Sequence, residues 1–227
     1  MGDLVYGVND WYRNGASAEF CVARIADIAN KPASVDHVDA AATPISALTA
    51  WQGLIERAGL AAGQRVLIQG AAGGVGTFAV QLAHWRGAHV TATASQPNID
   101  FVRSLGADEV IDYHAERFDD VVGNVDVVFD TVGGETLDRS WGVLKPGGKL
   151  VTIAASGEQT TNDRIRAAFF IVEPSRTQLE EISRLIDGHA LRPVVGAVFP
   201  LAEARQAYQH KQVRGKVVLR VVDGGAA

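Results

Sequence analysis

From residue 65 onward the chain alternates short apolar runs with stretches of helical spacing. "RVLIQ" (65–69), "HVTATA" (89–94), "EVID" (109–112), "DVVFD" (126–130), "KLVTIA" (149–154) and "LRPVVGAV" (191–198) read as six strands. Between them, a helix over about Gly74–Arg86 is closed by Gly87, and "PNIDFVRSLG" is closed by Gly106. A brief polar helix, "ETLDRSWGVL" and "SRTQLEEISRLIDG" follow, and the turn "KPGG" leads into the fifth strand. Strands that are apolar almost throughout, rather than at alternate positions, are buried on both faces. The pattern therefore predicts an α/β fold, a doubly wound parallel sheet of six strands with helices on both sides.

The ends of the chain break this rhythm. Residues before 40 read as short strands and loops, with "AEFCVA" (18–23) as a strand, and helical spacing covers about Pro44–Ala58. After Phe199 come a helix, "LAEARQAYQH", and a last strand, "GKVVLRVV", which do not form another strand–helix–strand unit. The expected organisation is a central domain at 41–196, with 1–40 and 197–227 joined in a smaller lobe.

Composition narrows the classes of function. With 227 residues and 47% hydrophobic residues the chain can bury a sizeable core. The net charge of −5 is spread over interspersed acids and bases, unlike the clustered cations of a nucleic-acid surface. One cysteine, Cys21, excludes a disulfide framework or a four-cysteine zinc lobe within the chain, and its expected state is a small buried hydrophobe. Asp3, Asp10, Arg13 and Glu19 interrupt the first twenty residues, and no apolar run reaches the ~18 residues of a membrane span. The expected compartment is the cytoplasm.

Chemistry concentrates in "VLIQGAAGGVGTFAVQLA" (66–83). Aligned to G-x-G-x-x-G it reads Ala71-Ala72-Gly73-Gly74-Val75-Gly76, and it lies between a predicted strand and a predicted helix, the context that gives the motif meaning. Without a Cβ at Gly73 or Gly74 a diphosphate can approach the backbone, and Gly76 lets the helix pack closely on the sheet. Free N–H groups and the helix dipole then face the negative charge. Val75, Ala79, Leu82 and Ala83 share the helical face that holds it to the sheet. A NAD site places an acid at the end of the second strand to accept from the ribose 2′-hydroxyl. Here that strand ends in Ser95, nineteen residues after Gly76. A 2′-phosphate is not repelled there, so NADP(H) is preferred as cofactor, with Arg103 a possible source of positive charge. GxxxxGK[ST] and Tyr-x-x-x-Lys are both missing. A methyltransferase shares the "LKPGG" turn but wants acids where this chain has Gln69 and Ser95.

Taken together these segments resemble the zinc-independent quinone oxidoreductase (zeta-crystallin-like) branch of the medium-chain dehydrogenase/reductases. The resemblance is carried, in family order, by "GDLVYG", "AEFCVA", "ALTAWQGL", "AGQRVLIQGAAGGVGTFAVQLA", "LGADEVIDY", "VDVVFDTVGGETL", "LKPGGKLV", "FFIVEP" and "RGKVVLRV". It implies a Rossmann domain between two halves of a GroES-like β lobe, here incomplete because "GDLVYG" stands at the front of the chain. It also implies that Thr49 approaches the nicotinamide half of NADP(H) and that Gly73, Gly74, Val75 and Gly76 hold the diphosphate. Ser95 and Tyr113 then flank the 2′-phosphate, while Thr131, Val132, Ile153 and Ala154 line the nicotinamide ribose. Phe170 and Val172 close over the nicotinamide, and Lys216 is a further cofactor contact.

The implied reaction is metal-free hydride transfer to a quinone or α,β-unsaturated carbonyl. The alternative is an NADPH-binding protein without turnover, a redox sensor or remnant, and a methyltransferase is a distant third. Tyr6, Asn9 and Tyr12 are the polar groups nearest the missing part of the lobe and read as structural, so no catalytic residue is assigned. The small-molecule substrate is the expected partner, with neither nucleic acid nor membrane. A homodimer is expected through the Rossmann sheet edge at "LRPVV".

Overall fold

A computed structural model describes residues 2–9, 15–154, 160–210 and 214–221. Its strands are β1 (Val5–Gly7), β2 (Ile28–Asn30), β3 (Arg65–Gln69), β4 (His89–Ala94), β5 (Glu109–Asp112), β6 (Val125–Asp130), β7 (Leu144–Thr152), β8 (Val195–Pro200) and β9 (Lys216–Arg220). Its α-helices are α1 (His37–Ala41), α2 (Pro44–Trp51), α3 (Gly74–Trp85), α4 (Ile99–Arg103), α5 (Phe118–Val121), α6 (Gly134–Ser140), α7 (Asp163–Ala168), α8 (Arg176–Asp187) and α9 (Ala204–Gln209). A π-helical segment, Gln52–Arg57, continues α2. The chain divides into two compact units, Thr49–Val172 and the combination of Met1–Leu48 with Glu173–Ala227. These borders lie at 48/49 and 172/173, whereas the sequence pattern sets them at 40/41 and 196/197.

The larger unit is a five-stranded parallel sheet in the order β5-β4-β3-β6-β7. Val66, Leu67 and Ile68 of β3 and Val128 and Phe129 of β6 are fully buried, as central strands covered on both faces must be. Beneath one face Leu67, Phe118, Val125, Leu137, Val143 and Leu150 form a continuous apolar cluster. Ala79, Leu82 and Ala83 of α3 are fully buried. The order reverses between β3 and β6, the switch point at which open α/β sheets leave a crevice beyond the strand ends.

The expected sixth strand is not part of this sheet. β8 pairs in parallel with β9 in a two-stranded sheet of the other unit, with α9 between them, so the tail does form a strand–helix–strand unit, contrary to expectation. Among the described residues the outer side of β7 carries only an isolated bridge from Thr152 to Phe169. β8 has intermediate and exposed residues in alternation, the mark of a strand with one covered face rather than two. The "LRPVV" segment therefore supplies no edge to the Rossmann sheet. The "KPGG" turn is absorbed into β7: Val125 pairs with Leu144 and Val127 with Lys149, with Gly147 at φ +78° in the bulge.

In the terminal unit β1 and β2 pair antiparallel and α8 packs on β2. Ser175 caps α8 from Gln178 N–H, and Leu179, Ile182 and Ile186 form its buried face. Two expectations fail here. "AEFCVA" forms no strand, with Phe20 89% and Val22 75% exposed, and Cys21 is exposed rather than buried. A run with strand propensity becomes a strand only when a neighbour accepts its hydrogen bonds, and no described strand flanks this one.

Candidate functional site

Parallel strands bring their carboxyl ends to one edge, and the polar residues of the sheet gather there. At the end of β3, Gly70 has φ +73°, and a Cβ on it would stand 3.2 Å from Val132 Cγ2 and overlap Thr131 Oγ1. The chain turns there into Ala71–Gly73, and Gly73 occupies the position before α3 without any side chain capping the helix. No side chain among the described residues caps the first turn, whose amides make an electropositive terminus. Gly76 is buried one turn further on, and a Cβ there would stand 2.7 Å from Ala71 Cα. Only glycine lets the helix start sit so tightly over the loop.

A polar relay fixes this mouth. Gly70 N–H donates to Thr93 Oγ1 at 3.2 Å, and that hydroxyl donates to Gln69 Oε1 at 2.7 Å. Thr131 Oγ1 donates to Gln69 O at 2.8 Å, which ties the loop after β6 to the end of β3. Asp130, fully buried, accepts from the N–H groups of Val132 and Gly133 at 3.1 Å and from Thr152 Oγ1 at 2.7 Å. Thr152 Oγ1 in turn accepts from Ala154 N–H at 3.1 Å, and Ile153 N–H donates to Asp130 O at 3.1 Å. One carboxylate thus sets the path of two loops. Left without it, each buried amide would forfeit ~1–3 kcal/mol.

Beside this network lies a cleft of about 360 Å³, lined by Gln69, Gly70, Thr93, Tyr113, Val132 and Arg139 among others. Arg117 and Arg139 stand at its rim, and both bind Asp119, at 2.7 and 3.0 Å. The hydrogen bond from Arg117 holds the Asp119 carboxyl below the usual range. Gln69 Nε2 is buried without a hydrogen-bond partner among the described residues, a donor that costs free energy until something accepts from it.

The candidate residues distribute unevenly around this edge. Tyr113 and Val132 line the cleft, each more than half exposed, and Gly73, Gly74, Val75 and Gly76 form the loop and first turn of α3. Thr131, Ile153 and Ala154 belong to the relay around Asp130. Phe170 is buried beside it, its N–H donating to Thr152 O at 3.3 Å and its ring covered by Arg57 at 4.6 Å. Val172 and Thr49 are buried in the same unit. Ser95 precedes the short 3-10 helix Gln96–Asn98 without a side-chain capping bond to its backbone, and its hydroxyl accepts from Asn98 Nδ2 at 3.0 Å, away from the cleft lining. Arg103 is engaged with Asp100 at 3.5 Å. Lys216 belongs to β9 of the terminal unit.

Of the polar groups near the front, Tyr6 is structural. Its hydroxyl donates to Leu179 O at 2.7 Å within the terminal unit, and burial pushes it up to about 12. Asn9 Oδ1 is buried with no partner among the described residues, and Tyr12 lies outside them. Gln69, Thr93, Asp130, Thr152 and Arg139 were not singled out by the sequence reading. Polar residues in the last positions of otherwise apolar strands, as in "VLIQ", "TATA" and "VVFD", were the available signal.

A dinucleotide fits what these residues leave open: an uncapped helix start, a glycine at the point of closest approach, and an unpaired buried amide in the wall of the adjoining cleft. A family model described as zinc-binding dehydrogenase matches residues 105–219. The chain belongs to the zinc-binding dehydrogenase family. It is an oxidoreductase of the medium-chain dehydrogenase/reductases. It is 35% identical to a zebrafish (Danio rerio) protein named NAD(P)H oxidoreductase RTN4IP1, mitochondrial, over 98% of this chain and 67% of that protein. It is also 35% identical to the chloroplastic NADPH-dependent alkenal/one oxidoreductase of Arabidopsis thaliana, over 90% of this chain and 53% of that one. The solved quinone oxidoreductase of Coxiella burnetii superposes with a TM-score of 0.88 at 31% identity, covering 98% of this chain and 73% of its own. The chain thus spans about half to three quarters of these relatives. Among the described residues no three His, Cys, Asp or Glu side chains converge as a metal shell does. No helix there is long and apolar enough to cross a membrane.

Proposed function

We propose that this zinc-binding dehydrogenase family member is an NADPH-dependent reductase of quinones or α,β-unsaturated carbonyls that works without a metal. One observation carries the reading: the uncapped start of α3 lies where the strand order reverses, beside a cleft with an unpaired buried donor. Bound NADPH supplies hydride, and the names of the Arabidopsis and Coxiella relatives supply the substrate class. The chain's residues bind, orient and keep water out. Gly73, Gly74, Val75 and Gly76 receive the diphosphate, and Ser95 and Tyr113 accompany the 2′-phosphate. Thr131, Val132, Ile153 and Ala154 follow the nicotinamide ribose, and Thr49, Phe170 and Val172 line the nicotinamide end. Lys216 completes the set that the family resemblance implies.

Thr131 already donates its proton to Gln69 O, so it holds the loop rather than serving as an acid. Asp130 acts on geometry as well, since its oxygens are occupied by two amides and a hydroxyl. The chemistry this edge performs is therefore positioning in an apolar slot. A homodimer and a cytoplasmic location complete the proposal, although two of the relatives carry organellar names. Light scattering that returns a monomer, or fractionation that places the native protein in an organelle, would revise those two parts.

Titration with NADPH and NADH, followed by NADPH oxidation at 340 nm with a simple quinone and a simple enone, tests the core of the proposal. NADPH is expected to bind more tightly than NADH and to be consumed with one of the two acceptors. Binding without consumption across a panel of both classes would leave a sensor. No binding of either coenzyme would overturn the site.

A further inference from the structure

A second cavity, also about 360 Å³, lies elsewhere in the larger unit. It is lined by Arg57 at the end of the π-helical segment, Trp141 after α6, Lys149 and Leu150 of β7, and Arg164 and Ala168 of α7. It shares no lining residue with the cleft at the strand ends. Of its eight described lining residues three are cationic and none is acidic.

No described carboxylate pairs with these cations, and they are held as Arg86 is, which lies over the Trp85 ring and donates to Leu60 O. Arg117, Arg139, Arg166, Arg176 and Arg184 each contact a carboxylate within 4.0 Å. Arg57, Lys149 and Arg164 make no ion pair among the described residues. Aromatic faces and the backbone hold them instead. The Arg164 guanidinium lies 4.3 Å from the centre of the Trp141 ring, Arg57 lies 4.6 Å from that of Phe170, and Lys149 Nζ donates to Arg57 O at 3.4 Å. A guanidinium stacked on a ring keeps its full charge and its edge-on donors while losing rotamer freedom. Three charges preorganised in a concavity and uncancelled by any acid among its described lining make a field that favours an anion.

We infer that this cavity binds a small molecule bearing clustered anionic oxygens, phosphate or polycarboxylate, at a site separate from the coenzyme cleft. Arg57 and Arg164 offer planar forks to the oxygens and Lys149 a point charge between them in chemical role. The inference rests on none of the residues assigned to the coenzyme, although Arg57 touches Phe170. The test variants are therefore R164Q and K149Q.

The experiment is calorimetric titration of the full chain at low ionic strength with sodium pyrophosphate and, separately, with sodium citrate, in the presence of saturating NADP⁺ so that the glycine loop is filled. Trp141 emission is followed in parallel, with W141F as the blank. At least one anion is expected to bind saturably at one site, about tenfold more weakly in R164Q and in K149Q, and more weakly as salt is added. The tighter of the two arms names the source of the oxygens. NADP⁺ affinity, measured in its own titration, is expected to stay the same in both variants, so failure of the coenzyme reading shows separately. Absence of saturable binding by either anion, or equal affinity in wild type and both variants, would overturn the site.

Discussion

Val66, Leu67 and Ile68 of β3 have no exposed surface, while β8 alternates between intermediate and exposed positions and Phe20 stands 89% exposed. The two units of the chain thus use apolar residues differently. In the larger unit the inner strands β3, β4 and β6 are covered on both faces, so a continuous local run of apolar residues suffices to define them. In the terminal unit β8 is covered on one face only, and it pairs with β9, the next strand in the chain. Where no described strand lies alongside, as at 18–23, the same kind of run stays irregular. A continuous apolar run specifies a strand that is buried on both faces, and only permits one where a single face or none is covered.

The largest effect that would test this contrast is at the centre of the sheet. Phe129→Ala removes a fully buried ring from β6, and large-to-small changes of this kind cost ~3–5 kcal/mol. Urea unfolding should show that loss, and a cost under ~1 kcal/mol would mean that the larger unit is far less tightly packed than its burial implies.

Next comes the loop. Gly76→Ala places a Cβ 2.7 Å from Ala71 Cα, and overpacking a tight contact costs ~1–3 kcal/mol. Gly73→Ala meets Gly70 O at 3.4 Å and should cost less. NADPH affinity is expected to fall with Gly76→Ala, read by calorimetry, because the helix start and loop must separate. Equal stability and affinity in the two variants would show that close approach at Gly76 is not what the glycine provides.

A smaller effect lies at the edge of the same sheet, where Lys145 pairs with Asp126. The hydrogen bond from Lys145, followed by that from Arg65 N–H, lowers the Asp126 carboxyl from its ordinary value. Because the folded value is the lower one, the stabilisation is complete above the unfolded value of about 3.9 and drains away as pH falls through the folded value. The pair is partly exposed, so Lys145→Gln should cost no more than ~1 kcal/mol. The stability gap to wild type should be present at neutral pH and close below about pH 4. A gap that widens in acid would contradict the assignment.

The smallest effect is expected where the comparison began. Phe20→Ser should change stability by no more than ~0.5 kcal/mol, despite removing an aromatic side chain. A loss like that of Phe129→Ala would mean that the segment packs against something in solution.

The glycine loop and all five parallel strands were legible, β7 with a later start than it has, because each is written in a handful of consecutive residues: strand, turn, helix. Tyr113 and Val132 reached the cleft through resemblance rather than pattern. Asp130 was not legible. A carboxylate at the end of an apolar strand reads like any solvated terminus, and its role depends on Thr152, a strand away, and on two amides that turn back toward it. The basic cavity was equally hidden, since Arg57, Lys149 and Arg164 are far apart in sequence and each alone reads as a surface charge. The placing of β8 failed for a related reason. A sixth βαβ step and a return to the terminal unit start from the same local pattern, and only the pairing with β9 separates them.

By itself the sequence determined the parallel sheet, its helices and the phosphate-seeking turn, since these follow from contacts within one strand–helix–strand unit and from backbone conformations that particular residues allow. The tertiary structure alone decided which polar side chains meet at the strand ends, which cations lack a carboxylate, and where the outer strands belong. Those outcomes depend on distances between residues with no local relation, which chain order does not contain.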